Sequence, residues 1–419
     1  MMNTAIQESQ NLSPSTILAI LAVDIPLLLF SGRKRPYIPL LLIFALAPFQ
    51  HDMSIGGPLK FSIAEINLML TCMLFFIRGR PLRWGPALVP ILLYLGVCMA
   101  SALVNWRPST LTCMVQMALY MLVAVVVFAS FGRNEEDFRP ALYGLLAVGL
   151  ILATAVIVKR TGYVLGLHKN GVGDSLAAAV IVCGELWFAE TRRKQRMMLA
   201  IVMGTLTAGL FFSLSRGAWV GAGVGLIVIL AMRRQFGLML RATVFIVPLI
   251  AICWRLLPDQ DRSYTTGLSK ENWNIRMRYE SLYFARRQFL ENPVLGVGVG
   301  LRKEYDATNL FWLTMAETGV LGIVTFLALH AWFLRMVWMT QKKLPRNGML
   351  YSVVALGGAL ITSKFIHGMV DHYWSRGAIM VAWTSAGMAT YGYFVMRKRE
   401  QMMRRERVMA RLVAGGQSA

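Results

Sequence analysis

The segment PDQDRSYTTGLSKENWNIRMRYESLYFARRQFLENPVLGVGVGLRKEYDAT (258–308), followed directly by NLFWLTMAETGVLG (309–322), is the one long polar stretch in this chain. On either side of it, apolar runs of about twenty residues, the length a helix needs to cross a bilayer, are separated by short basic turns. The segment is thus the one place with room for a large water-exposed element, and the surrounding runs read as its mounting. Of 419 residues, 56% are hydrophobic and 15% charged, with a mean hydropathy of +0.55. That balance excludes an ordinary soluble domain. The expected fold is an all-α polytopic membrane protein of about 12–13 transmembrane helices. It forms a single membrane domain over 1–419, with a large outside loop at 257–308 and a basic cytoplasmic tail at 397–419.

Apolar runs begin near Thr16, Tyr37, Ser62, Gly85, Leu111, Pro140, Asp174, Leu199, Ala218, Leu238, Asn309, Met349 and Gly377. Basic connectors fall at alternate gaps: Arg33 to Arg35; Arg78, Arg80 and Arg83; Arg192 to Lys194; Arg233 and Arg234; Lys342 and Lys343; and Arg397 onward. The positive-inside bias assigns these to the cytoplasm. The opposite set, 51–61, 105–110, 159–173, 214–217, 257–308 and 371–376, then lies outside. The first fifteen residues, MMNTAIQESQNLSPS, lack the basic start and cleavage site of a signal peptide. Cys72, Cys98, Cys113, Cys183 and Cys253 have no paired spacing and read as small core residues. The tail RKREQMMRRERVMARL reads as a helix on anionic inner-leaflet headgroups.

Lys and Arg outnumber Asp and Glu by 43 to 21, a net charge of +22, and inside turns account for only part of that excess. Arg262, Lys270, Arg276, Arg278, Arg286, Arg287, Arg302 and Lys303 lie in the outside loop, joined on that face by Lys159, Arg160, Lys169, Arg216 and Arg376. A solvated loop is one explanation; an anionic ligand is the sharper one, because guanidinium groups grip phosphate bidentately and stay charged at a membrane. The periodicity predicts a helix from Glu271 to Glu291, ended by Pro293, with Ile275, Tyr279, Leu282 and Phe289 on one side. Arg276, Tyr279 or Glu280, Tyr283 and Arg287 form a stripe suited to sugars or, equally, to a membrane interface. Gly296, Gly298 and Gly300 follow no strand, so they read as a tight return of the loop whose amides could approach an anion rather than as a nucleotide loop.

Arg216, between two strongly apolar runs, is a site candidate by its depth. Lys364, His367 and Asp371, three and four residues apart, share one helix face, with Lys364 about 10 Å deeper than Asp371, and His372 follows. Such a face can hold an anion and take a proton; a structural ion pair with a hydrogen-bonded histidine is the alternative. His168 and Lys169 are lesser candidates, and His330 reads as packing. No group has metal-ligand spacing, and no cofactor is expected.

Four motifs in order, SRGAWVGAGVG (215–225), Arg278 fifteen residues before Pro293, NPVLGVGVG (292–300) and NLFWLTMAETGVLG (309–322), resemble the bacterial O-antigen ligase and Wzy-type polysaccharide polymerase superfamily. The resemblance implies a GT-C-like membrane glycosyltransferase of the bacterial inner membrane, with its active site and large loop facing the periplasm. It implies inverting, metal-independent transfer from a glycan on undecaprenyl diphosphate. Arg216 and Arg278 would hold the diphosphate; the residue pattern itself adds Arg276, Lys364 and His367 as candidates to bind it. Family members commonly carry a histidine immediately before the asparagine that opens the ETG span, and here that position is Thr308. The proton acceptor is then His372 with Asp371, or Glu317. The absent histidine favours a polymerase of repeat units over a ligase acting on lipid A-core; a lipid-linked glycan flippase is the reading from another class. The expected partners are the lipid-linked donor, a glycan acceptor, membrane lipids and a chain-length regulator, with no nucleic acid.

Overall fold

A computed structural model describes residues 14–31, 35, 37–49, 53–54, 60–79, 81–132, 134–238, 248, 251–252, 254–255, 273–304, 309–371 and 376–416. Among the described residues the regular structure is helical apart from a two-residue antiparallel pairing of β1 (Met53–Ser54) with β2 (Lys60–Phe61) and an isolated antiparallel bridge between Val164 and Leu167. Helices occupy twelve of the thirteen apolar runs: α1 (Pro14–Leu29), α2 (Ile38–Leu46), α3 (Ile63–Ile77), α4 (Leu88–Val104), α5 (Thr110–Phe131), α6 (Arg139–Lys159), α7 (Lys169–Ala189), α8 (Arg193–Phe212), α9 (Arg216–Arg233), then α12 (Leu310–Gln341), α13 (Met349–Gly368) and α14 (Arg376–Gly416). The run from Leu238 lies almost entirely outside the described residues. Between α9 and α12 stand α10 (Trp273–Glu291) and the single turn α11 (Leu301–Glu304). Among the described residues seven helices are long and apolar enough to cross a membrane: α5, α6 with the turn before it, α7, α8, α9, α12 and α13. The chain is accordingly an all-α membrane protein.

α13 is the axis of the bundle. Up to Ser363 its sequence is apolar, small or aromatic all round, and a helix of that kind belongs in the interior. Seventeen of its twenty residues are buried, against α7, α9, α12 and α14. The contact with α9 depends on glycine every fourth residue. Gly217, Gly221 and Gly225 form a smooth strip, and a Cβ on Gly221 would stand 3.2 Å from the Ser363 carbonyl and 3.3 Å from the His367 Cβ. Small residues at this spacing let helices approach closely in a membrane, where burial from water supplies no driving force. Part of the family-like motif is thus a packing surface.

At the far end of the bundle from the polar loop, Arg233 of α9 ties three helices together. Its Nε donates to Glu185 of α7 (3.2 Å), Nη2 to Ser352 of α13 (3.1 Å) and Nη1 to the Arg346 carbonyl (2.5 Å). The basic tail continues α14 without a break to Gly416. Lys343–Glu400 (2.7 Å) and Arg399–Glu135 (3.2 Å) pin its beginning to the ends of neighbouring elements.

Gly221→Leu should lower stability by about 1–3 kcal/mol through overpacking. Gly223→Ala, whose Cβ would meet nothing within 4 Å, should be neutral or stabilising by up to about 1 kcal/mol. Thermal unfolding of the two variants in one detergent checks the contrast.

Candidate functional site

The loop after α10 is stitched into the bundle. Gly296, Gly298 and Gly300 adopt φ of +71°, +99° and +120°, conformations that glycine alone takes without strain. Their turn lays four carbonyls against the α4–α5 connection. Asn105 Nδ2 donates to Gly296 O (2.9 Å), Arg107 Nε to Val297 O (2.9 Å), Thr110 Oγ1 to Val299 O (2.7 Å) and Ser109 Oγ to Gly300 O (2.9 Å). The amides are committed as well. Val297 N–H donates to Ala316 O (2.8 Å), Gly298 N–H to Glu317 O (3.2 Å) and Gly300 N–H to Glu317 Oε1 (3.2 Å). These glycines therefore return the loop, as expected, but the Gly298 and Gly300 amides serve α12, and that of Gly296 donates to Asn292 O at 2.9 Å.

α12 accepts the loop because it breaks at Gly319 (φ 65°, ψ −162°). The gap lets Val320 N–H reach Pro293 O at 2.8 Å. Just before the break, Glu317 receives Arg302 N–H at 2.9 Å and Arg302 Nε at 2.9 and 3.1 Å, with Nη2 also bound. Both side chains are buried. Burial works against the Arg302 charge, but the Glu317 carboxylate more than offsets it, so the guanidinium is held above its ordinary pKa. Glu317 is fully engaged in holding the loop, which leaves it no oxygen for proton transfer.

Against this frame α10 presents one face to α12. Ile275, Ser281 and Ala285 are buried, whereas Tyr279 and Tyr283 are exposed. Tyr279 is expected beside Ile275, but the inward face centres on the stripe 278–281–285, and at about 100° per residue Tyr279 lies about a third of a turn from that centre. Arg278 lies on the inward side and reaches the end of α13. Its Nη1 donates to the Val370 carbonyl, and its Nη2 stands 3.5 Å from Asp371 Oδ2. Asn170 Nδ2 donates to the same Asp371 oxygen, and Asn309, which caps α12, donates to Met369 O at 2.7 Å. Gly217, next to Arg216, packs so closely that a Cβ there would stand 2.7 Å from His367 and 2.9 Å from Val370. The start of α9, where Arg216 is half-buried beside Gly217, and Arg278 of α10 thus flank one corner, residues 367–371.

Beneath that corner lies a carboxylate that the sequence reading passed over. Asp174 Oδ1 is 2.7 Å from Lys364 Nζ and 2.9 Å from His367 Nδ1. Lys364 and His367 share a helix face as expected, but that face is covered, with side chains 5% and 2% exposed. They therefore support the corner from below; the Asp371 carboxylate above them is 13% exposed, little more than the 11% of Asp174. Beside it, His168 caps α7 by accepting Asn170 N–H (3.3 Å), and its Nε2 lies 3.2 Å from the Tyr163 hydroxyl. Burial holds the His168 imidazole below its ordinary pKa, against the opposing pull of Asp371.

Arg276 points away from the corner, 70% exposed and bonded to Glu280 at 2.8 Å. Arg262, Lys270, Thr308 and His372 lie outside the described residues. Among the described residues no group of three His, Cys, Asp or Glu could hold a metal ion. Asp174 and Asn170 are the residues that sequence reasoning missed, and Arg302, grouped there with the anion-binding cations, pairs with Glu317 instead. Asp174 carried a usable signal, an acid one turn into a span apolar enough to be buried. No family model matches this chain, and none of the curated proteins compared with it matches either.

Glu317→Gln should destabilise the protein by about 3–5 kcal/mol, because it leaves a buried guanidinium without its counter-charge. An Arg302→Met/Glu317→Met double variant should recover most of that loss. Thermal unfolding of the single and double variants decides; an unchanged melting temperature in Glu317→Gln would remove the structural role. For His168 the folded-state pKa is depressed. Its contribution to stability is complete above the unfolded value of about 6.5 and is lost as pH falls below it, because the unfolded chain takes the proton first. The fall in melting temperature between pH 7 and pH 5 should be shallower in His168→Gln.

Proposed function

We propose that this protein is a membrane glycosyltransferase that polymerises glycan repeat units carried on undecaprenyl diphosphate. In this reading the chain crosses the bacterial inner membrane twelve or thirteen times, and the corner at the end of α13 faces the periplasm. The observation that carries the reading is the convergence at residues 367–371 of Arg278, the Arg216–Gly217 start of α9 and the Asp371 carboxylate. A site for a diphosphate leaving group needs cations, and a site for hydroxyl attack needs a proton acceptor beside them. The orientation is supported by the ends of the same helices, since those remote from the corner carry Arg192 to Lys194, Arg233, Arg234, Lys342 and Lys343, as the positive-inside bias requires for the cytoplasm.

In the reaction, an acceptor hydroxyl oxygen attacks C1 of the donor's reducing-end sugar. The new C–O bond forms as the C1–O bond to phosphate breaks, and its electron pair leaves with the lipid diphosphate. The hydroxyl proton passes to Asp371. Negative charge grows on the diphosphate, so prepositioned guanidinium groups are the main source of acceleration. The 3.5 Å separation of Arg278 and Asp371 is long for an ion pair, which suits a guanidinium that exchanges this carboxylate for the donor. Lys364, His367 and Asp174 hold the corner from below. Thr308, in place of the histidine common in the resembling superfamily, favours polymerase over ligase.

Reconstitution with lipid-linked repeat units, read on a gel, separates the outcomes: a ladder for a polymerase, one new band for a ligase, no product for neither. Arg278→Ala and Arg216→Ala should each cut product formation by at least about 100-fold with expression intact, and the wild type should keep its activity in EDTA. Near-normal product from both variants would remove the diphosphate clamp.

A further inference from the structure

A second candidate binding site lies at the opposite end of the bundle. Between the last turn of α7 and the first turns of α8 is an open cavity of about 480 Å³, lined by Trp187, Thr191, Arg193, Arg196, Met197 and Ala200. Arg193 and Arg196 are three residues apart and so lie on one helix face. The Arg196 guanidinium is fixed 4.3 Å over the Trp187 ring. Neither arginine forms an ion pair among the described residues. The adjacent carboxylate, Glu190, is turned to the backbone, where its Oε1 accepts the N–H groups of Thr191 and Arg192 at 2.9 Å each. Two guanidinium groups lining one cavity repel each other, and an anion held there removes that cost while offering each a charge-assisted hydrogen bond.

The other wall of the cavity says what kind of anion. α8 is the least covered by protein of the seven long apolar helices. From the cavity towards the membrane, Met197 and Ile201 are 62% and 67% exposed. A headgroup between the arginines would have its acyl chains lying along this apolar face, with Trp187 at the level where tryptophan anchors helices. A cavity of this size accommodates a small-molecule headgroup. We propose that this cavity binds an anionic glycerophospholipid of the surrounding leaflet, its phosphate held by Arg193 and Arg196 and its acyl chains packed along α8. The site is independent of the glycan chemistry at the other end.

The test uses the full chain purified in a neutral detergent and titrated with dioleoylphosphatidylglycerol, dioleoylphosphatidylcholine or inorganic phosphate. Thermal unfolding and native mass spectrometry report binding. Phosphatidylglycerol should raise the melting temperature saturably and remain bound, whereas the other two should not. Arg193→Gln/Arg196→Gln should weaken that binding by at least about tenfold. Arg404→Gln/Arg405→Gln, which removes the same charge from the tail, should leave it unchanged. Ala200→Trp fills the cavity with both charges intact and should weaken binding as well, so the proposal stays testable even if the double variant fails to fold. Equal binding of phosphatidylcholine, a full shift with phosphate alone, equal loss in the tail variant, or full affinity in Ala200→Trp would each overturn the proposal.

Discussion

The central helix of this protein carries a lysine into its interior, and Asp174 is what makes that tolerable. An isolated ammonium buried among apolar helices costs several kcal/mol of lost hydration. One carboxylate oxygen serves Lys364 at 2.7 Å and the His367 ring at 2.9 Å, and that shared contact fixes α7 against α13. The glycine strip of α9 lies against the same turn of α13 and brings Arg216 to the same level. The position of the candidate site therefore follows from one electrostatic requirement together with a packing surface that permits close approach.

A second matched pair governs the other half of the site. Arg302 and Glu317 fasten the glycine loop into the break in α12, and this in turn sets where α10 enters and which way Arg278 points. Buried ion pairs add little net stability compared with apolar packing, but removing one partner is costly, so they define geometry more than they strengthen it. The GVGVG and AETG stretches look like chemistry in a linear sequence. In three dimensions they form one joint, with four loop carbonyls capped by the α4–α5 connection and the Val297, Gly298 and Gly300 amides taken by α12.

The cations of the chain consequently fall into different classes. Arg233, Arg302 and Lys364 are buried against carboxylates and hold helices together. Arg276 and Arg287 pair with glutamates on the open face of α10. Arg278, with its long contact to Asp371, and Arg193 and Arg196, outside any ion pair among the described residues, lie at opposite ends of the molecule. Net charge alone cannot make this distinction, because it depends on which carboxylate is within reach.

Much of the architecture is legible in the sequence. Apolar run length dictates helices because a backbone in lipid must satisfy its own hydrogen bonds, and twelve of the thirteen runs coincide with helices. Proline after Glu291 marks where α10 stops, and the spacing of three places Lys364 and His367 on one face, whereas α13 ends at Gly368 and Asp371 lies three residues beyond it. Whether that face is open or covered is a different kind of fact. Asp174 meets His367 across 193 positions of chain, and Arg278 meets Val370 across 92. A local period encodes the direction of a side chain relative to its own helix but not the neighbour it meets. The burial of Lys364 and His367, the structural duty of Glu317 and the outward turn of Tyr279 were decided only when the helices packed.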